Sequence, residues 1–196
     1  MINDELLAAK ALGGDLGAFE ELVNRYKKSV FTIVYRIIGQ YQEAEDITQE
    51  VFLIVYEKLY QFDVGKKFAP WIHRIAVNTT ITALRKKKKV VNVMFDETYI
   101  QDNVTGSDLD DPQVIFERNE LSSFINEVIM ELPENYRIII ALRYQMDYSN
   151  GEIAEVLGIS KENVEVKVHR ARKAMRNLYM KKLVQRGMPH ELPASR

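Results

Sequence analysis

An all-helical chain made of two small domains, the second carrying a helix-turn-helix, is what three observations predict. Apolar residues recur at spacings of three and four along most of the 196 residues, and no stretch supports a strand domain. The stretch Asp147 to Arg176, DYSNGEIAEVLGISKENVEVKVHRARKAMR, carries two helix starts separated by a glycine turn. Between about Val90 and Pro112 the periodicity dissolves into an acidic, polar segment that reads as a flexible linker.

In the helix-turn-helix stretch, Ser149 and Glu152 have the spacing of a capping box, in which each side chain satisfies the other's backbone N–H at a helix start. Ile153, Ala154 and Leu157 give this helix an apolar stripe. Gly158 is suited to leave it in a left-handed conformation, and Ser160 to cap a second helix. Val164, Val168, Ala171 and Met175 fall on one arc of that second helix, and Asn163, Val166, Lys167, Arg170 and Lys173 on another. The second helix of such a unit enters the major groove. Lys161, Asn163, Lys167, Arg170 and Lys173 are therefore the candidates for base and phosphate contacts. A solvated basic face on an ordinary surface helix is the alternative, and the register of both caps, glycine and basic arc argues against it.

The remaining elements follow in order. Asp4 to Leu12 reads as a short helix ended by Gly13-Gly14. Asp15 opens a longer one with Phe19, Leu22, Val23, Tyr26, Val30, Ile33, Val34 and Ile37 on its apolar side, stopped by Gly39. A third helix, about Gln42 to Tyr60, buries Ile47, Val51, Ile54, Val55 and Leu59 and carries Glu43, Glu45, Asp46, Gln49 and Glu50 on its other side. Gln61 to Lys67 reads as a turn, with Pro70 at the first position of a fourth helix. On that helix Ile72, Ala76, Thr79 and Ala83 share one face, and Trp71, Arg74, Asn78, Thr82 and Arg85 share a separate arc that ends in Lys86 to Lys89. The helical pattern resumes from Gln113 to Glu131, breaks at Leu132-Pro133, and continues from Asn135 to Tyr144. The last residues, QRGMPHELPASR, read as a disordered tail.

Charge is uneven along the chain. The formal net charge is −1, yet residues 1–89 hold 14 Lys/Arg against 11 Asp/Glu, residues 90–112 none against six, and residues 113–196 13 against 11. The absence of cysteine excludes disulfides and thiolate metal sites, and His73, His169 and His190 lack ligand-like spacing, so neither a metal nor a cofactor is expected. There is no glycine-rich phosphate loop. A metal-dependent hydrolase using Glu43, Glu45, Asp46 and Glu50 would need a second convergent ligand set that the sequence does not offer. No apolar run approaches the roughly 20 residues that span a bilayer, and the N-terminus lacks a signal-like pattern, so a cytoplasmic protein without membrane insertion is expected.

GDLGAFEELVNRY, AEDITQEVF, FAPWIHRIAVN with LRKKKK, LPENYRIIIALRY and the helix-turn-helix ending HRARKAMR together resemble the bacterial RNA polymerase sigma factors of the extracytoplasmic-function type, in that family's order. The resemblance implies a non-enzymatic transcription-initiation factor. Residues 1–89 would bind core polymerase and the −10 element, residues 90–112 would be an acidic linker, residues 113–183 would read the −35 element, and residues 184–196 would be a tail.

It further implies that Asp46, Gln49 and Glu50 dock on the clamp helices of the largest polymerase subunit. The loop Asp63 to Phe68 would receive a flipped base, with Asp63, Lys66, Phe68 and Asn78 at the melted strand and Arg74, Arg85, Lys86 and Lys87 beside it. The flap of the second-largest subunit, promoter DNA and an anti-sigma factor are the other implied partners. The linker would thread into polymerase channels, its charge imitating a phosphate backbone; a passive tether is the alternative. Thr82 stands where the family usually has an acidic residue, and Glu165 where a basic one is common. A free-standing helix-turn-helix regulator is the rival reading, and it would leave AEDITQEVF and the acidic segment unexplained.

Overall fold

Side chains cap the starts of four helices, with Asn3, Asp15, Ser149 and Ser160 as the capping residues. In the computed structural model, which describes residues 2–91 and 112–186 and side chains over 2–87 and 121–186, Asn3 caps helix α1 (Asp4–Leu12) by accepting from Leu6 N at 2.9 Å. Asp15 caps α2 (Leu16–Ile38) through Ala18 N at 3.1 Å. Helix α2 ends at Gly39, whose φ of 85° lies in the left-handed region that a glycine enters without cost. Helix α3 (Tyr41–Lys58) runs into a 3-10 turn at Leu59–Gln61, and α4 spans Phe68–Val91.

Helix α4 begins two residues earlier than Pro70 suggests and outlasts the lysine run by two. Pro70 is tolerated there because the first backbone N–H groups of a helix have no partner within it. Glu5 of α1 accepts from the Phe68 N–H at 3.2 Å and serves as the missing cap.

The second half begins with α5 (Pro112–Met130) and α6 (Glu134–Ile140). The latter widens into a π-helical turn at Ala141–Gln145, closed by Met146 N to Ala141 O at 3.2 Å. Asp147 then takes a positive φ of 52° and turns the chain into α7 (Asn150–Leu157) and α8 (Lys161–Gln185). Among the described residues every regular element is helical. The acidic segment and the end of the tail lie outside the described residues. Val184 and Gln185, expected in the tail, are the last turn of α8, which is held back against α5: Lys182 reaches Glu127 at 3.1 Å and Glu131 at 2.5 Å, and the Arg186 guanidinium lies over the Phe124 ring.

The two helical domains, α1–α4 and α5–α8, are packed on each other. One hydrophobic core runs from Leu22, Ile33 and Val55 through Phe68 and Ile72 to Ile139, Leu142, Ile153 and Val164. Burying each such large side chain contributes roughly 1.5–3 kcal/mol, so contact between the domains is held chiefly by apolar burial. Gly39 belongs to this contact, because a Cβ there would stand 2.9 Å from the Met130 sulfur.

Candidate nucleic-acid interface

The helix-turn-helix forms as its local signals dictate. Ser149 Oγ accepts from Glu152 N at 3.3 Å and Glu152 Oε2 accepts from Ser149 N at 3.1 Å, completing the capping box. Gly158 has φ 65°, and Ser160 accepts from Asn163 N at 3.3 Å to start α8. Ile153 and Val156 are buried under α7, Val164 and Ala171 under α8. Val156 had not been expected in the core; it is buried because α7 is also covered by α4. Lys161, Asn163, Arg170 and Lys173 are exposed and Lys167 is half-buried, so the proposed groove-facing arc is open. Val166 lies with them at 47% exposure, an apolar group suited to a thymine methyl.

On α4 the division into two faces holds in part: Thr79 is buried as expected, but Ala83 of the expected packed face and Trp71 of the expected open arc are both half-buried. Ile72, Ala76, Val77 and Thr80 are buried, while Arg74, Asn78, Thr82, Arg85, Lys86 and Lys87 are exposed. Thr82 donates its hydroxyl proton to the Asn78 carbonyl at 2.9 Å, so this residue adds neither charge nor a free donor to the arc. Lys87 is bound back to α3, at 2.9 Å from Glu43.

The turn before α4 is shaped by Asp63, whose carboxylate accepts from Gly65 N at 3.0 Å and whose carbonyl accepts from Lys66 N at 2.9 Å. With Gln61, Phe62, Lys66, Trp71 and Arg74 it surrounds a cleft of about 240 Å³. Phe68 is not on that surface. It is fully buried, with ring centres 5.3 Å from Tyr26, 5.2 Å from Phe62 and 5.5 Å from Trp71, so it cannot offer a face to a base. The expectation failed because Phe68 is the first residue of α4, turned into the core, and does not belong to the loop. Half-buried Trp71, packed on Phe62 and Phe68, borders the cleft together with the buried Phe62.

The acidic side of α3 is likewise open. Asp46, Gln49 and Glu50 are exposed, and their arc continues into Leu53 and Tyr56, 66% and 54% exposed. Large apolar groups left in solvent beside an acidic cluster suit a partner surface. Among the described residues there is no cluster of His, Cys, Asp or Glu that could hold a metal ion, and no helix long and apolar enough to cross a membrane.

Between the domains lies a polar seam that the sequence did not reveal. His73 of α4 is buried, with Nδ1 2.6 Å from the Tyr148 hydroxyl and Nε2 3.0 Å from Ser29 Oγ of α2. Ser29 donates its own proton to the Tyr26 carbonyl at 3.1 Å. It therefore accepts from His73 Nε2–H, and Nδ1 accepts from Tyr148, a tautomer inferred from the network. Burial lowers the His73 pKa to about 4 and raises that of Tyr148.

Lys67 pairs with Glu152 at 3.0 Å; this contact, followed by the Ser149 cap, holds the Glu152 carboxyl below its usual range. Arg36 of α2 faces Gln145 and donates to its side-chain oxygen at 3.0 Å when the amide is oriented to receive it, yet Arg36 Nη1 is buried without a partner. No local pattern marks the pairs His73–Tyr148, His73–Ser29, Lys67–Glu152 and Arg36–Gln145, since each joins positions far apart in the chain.

The profile for sigma-70 region 2 matches residues 22–90 and that for sigma-70 region 4 matches residues 125–175. The ECF RNA polymerase sigma factor SigW of Bacillus subtilis is 36% identical over 176 residues, covering 83% of this chain and 89% of that protein. The RNA polymerase sigma-H factor of Pseudomonas aeruginosa is 28% identical, covering 88% and 92%. In shape the chain resembles CnrH, solved in complex with the cytosolic domain of CnrY, with a TM-score of 0.64, 24% identity and coverage of 89% and 96%. It also resembles the sigma factor RpoE of Bartonella quintana, solved with the anti-sigma factor NepR, with a TM-score of 0.65, 18% identity and coverage of 82% and 95%. The helical order, the capped helix-turn-helix and these similarities converge: the chain belongs to the extracytoplasmic-function sigma factors of RNA polymerase, proteins that direct the polymerase to promoters.

Proposed function

We propose that the promoter is read by two separate surfaces of this sigma factor, with the exposed arc of α4 and the adjoining cleft taking the melted −10 strand and α8 taking the −35 duplex. The observation that carries the reading is the open polar arc of α8 set on a fully capped helix-turn-helix, because only a rigidly placed helix can present Lys161, Asn163, Lys167, Arg170 and Lys173 to a groove in fixed register. On α4, Asn78 supplies edge-directed hydrogen bonds, while Asp63, Lys66 and Trp71 border a cleft able to receive an extruded base. Arg74, Arg85, Lys86 and Lys87 provide the backbone contacts.

Asp46, Gln49 and Glu50, extended by Leu53 and Tyr56, are assigned to the clamp helices of the largest polymerase subunit. The flap of the second-largest subunit is assigned to a second groove, about 990 Å³, with Leu121, Ile125, Tyr144, Met175 and Tyr179 among its lining. Bond-making chemistry stays with the polymerase, so the protein acts in the cytoplasm as a non-enzymatic factor. Regulation by an anti-sigma factor is proposed from the family, and the RpoE–NepR complex is the precedent. Reconstitution with core polymerase on genomic DNA, followed by sequencing of transcript 5′ ends, tests the reading. Starts preceded by one shared pair of upstream elements are expected, and starts no different from those of core polymerase alone would refute it.

A further inference from the structure

Two acids, Asp4 and Glu5, open α1, where the helix dipole alone would favour them. Both side chains are committed to other helices. Asp4 accepts from the Tyr26 hydroxyl at 2.5 Å and from the Arg25 guanidinium at 2.7 Å, which fastens α1 to α2, and Arg25 also donates to the Ile2 carbonyl at 2.8 Å. Glu5 accepts from the Phe68 N–H, the first of α4, at 3.2 Å. Leu7 and Ala8 are buried beneath them, so α1 is packed in place against α2, α4 and the 3-10 turn.

These contacts converge on Phe68. Glu5 holds its backbone, while Tyr26, itself held by Asp4, packs edge-on against its ring with centres 5.3 Å apart. The same ring packs on Phe62 and Trp71, two residues that border the 240 Å³ cleft. The turn that shapes the cleft runs from Asp63 to Lys67 and ends at Phe68. Its internal bonds, from Gly65 N and Lys66 N to Asp63, give it a shape without attaching its end to the first domain. Glu5 makes that attachment.

We propose that Glu5 is a positioning residue for the −10 cleft: by accepting from the Phe68 N–H it fixes the end of the turn and the Phe62–Trp71 wall, and so sets how sharply the cleft discriminates the base it receives. This rests on the assignment of that cleft to the −10 strand. A pocket that reads a base must hold its walls to within about 0.5 Å, which a turn left to itself does not do. Helix α1 precedes residues 22–90, the part matched to sigma-70 region 2, so that match does not account for the contact. Reach decides the bond more than charge. A glutamine at this position keeps an acceptor oxygen at the same distance, whereas an aspartate keeps the charge and is one methylene too short.

The test uses the full chain, alone and in holoenzyme reconstituted with core polymerase. Trp71 is the chain's single tryptophan, so intrinsic fluorescence reports the cleft wall without a label. Glu5→Ala and Glu5→Asp should both raise acrylamide quenching of Trp71 by roughly half or more, because a turn released from its anchor exposes the indole more often. The aspartate variant keeps an acid in the first turn of α1 and with it the helix start. In run-off transcription on a randomised promoter library, both variants should lose about fivefold or more of the preference at one −10 position, the lower end of what a single base contact discriminates, with −35 preference unchanged. Glu5→Gln should stay within about twofold of wild type in both measurements.

Wild-type quenching and wild-type −10 preference in Glu5→Asp overturn the positioning role. A defect in Glu5→Gln equal to that of Glu5→Ala overturns it as well, because charge would then be the cause. Trp71→Ala, run alongside, reports separately on the reading beneath it. If Trp71→Ala alters −10 preference and the Glu5 variants do not, the positioning role alone fails; if Trp71→Ala leaves −10 preference unchanged, the assignment of the cleft fails.

Discussion

His73 Nδ1 and the Tyr148 hydroxyl meet at 2.6 Å across the seam between the two domains, 75 residues apart in the chain. The neutral imidazole fits this site because Ser29 Oγ accepts a hydrogen bond from its Nε2–H and Tyr26 covers it with an edge-on ring 6.0 Å away, and no carboxylate in these contacts compensates a positive charge.

This arrangement predicts acid opening. Burial holds the His73 pKa at about 4 in the closed form, and an exposed histidine titrates near 6.5. The opened state therefore binds more protons between these values. Closure is fully favoured above about pH 6.5 and is weakened as pH falls towards 4, by up to about 3 kcal/mol. Fluorescence energy transfer between dyes on the two domains should decrease over that range, and His73→Phe should flatten the profile. An unchanged profile in the variant would mean that other groups drive it.

Phe68 gives the core a direct test. It is fully buried among Tyr26, Phe62 and Trp71, so Phe68→Ala should cost about 3–5 kcal/mol in thermal or denaturant unfolding. Trp71→Ala, at a half-buried position, should cost less stability and more single-stranded DNA binding. The reverse ranking would return Phe68 to the surface role that its place in the sequence suggested.

These two cases show what the sequence could and could not carry. The caps at Asp15, Ser149 and Ser160 and the stops at Gly39 and Gly158 depend on neighbours within a few residues, so they are legible in the chain. So are the open arcs of α3, α4 and α8, because helical periodicity alone sorts their residues. Phe68 was misplaced because the cap of its helix, Glu5, lies 63 residues away, leaving Pro70 as the only local signal. The pairs His73–Tyr148, Lys67–Glu152 and Arg36–Gln145 have no local signature at all, and the closeness of the two domains rests on them and on the shared apolar core.

For polymerase binding, the charges of α3 are expected to matter more than its helix. Reversing Asp46 and Glu50 to Lys changes two exposed residues, neither of which is in the core. The helical circular-dichroism signal should persist while affinity for core polymerase drops roughly tenfold or more, about 1.4 kcal/mol. Competition against a labelled sigma factor measures this, and wild-type competition by the variant would remove the acidic face from the interface.

Promoter reading should divide between the domains. Asn163 is exposed in the first turn of α8, Lys167 follows it on the same arc, and Asn78 stands on the exposed arc of α4. Asn163→Ala should relax preference at a single −35 position by about 1–3 kcal/mol, because an amide that reads a base edge discriminates only where it touches. Lys167→Ala should weaken all sequences alike and lower the salt slope by about one, since a phosphate contact carries no sequence information. Asn78→Ala should alter −10 preference alone, and the defect should shrink on a template melted in advance if the amide chiefly captures the opened strand. Run-off transcription by reconstituted holoenzyme on a randomised promoter library measures all three at once. A change in −10 preference from Asn163, or in −35 preference from Asn78, would contradict the division, because no single side chain spans the about 85 Å between the elements.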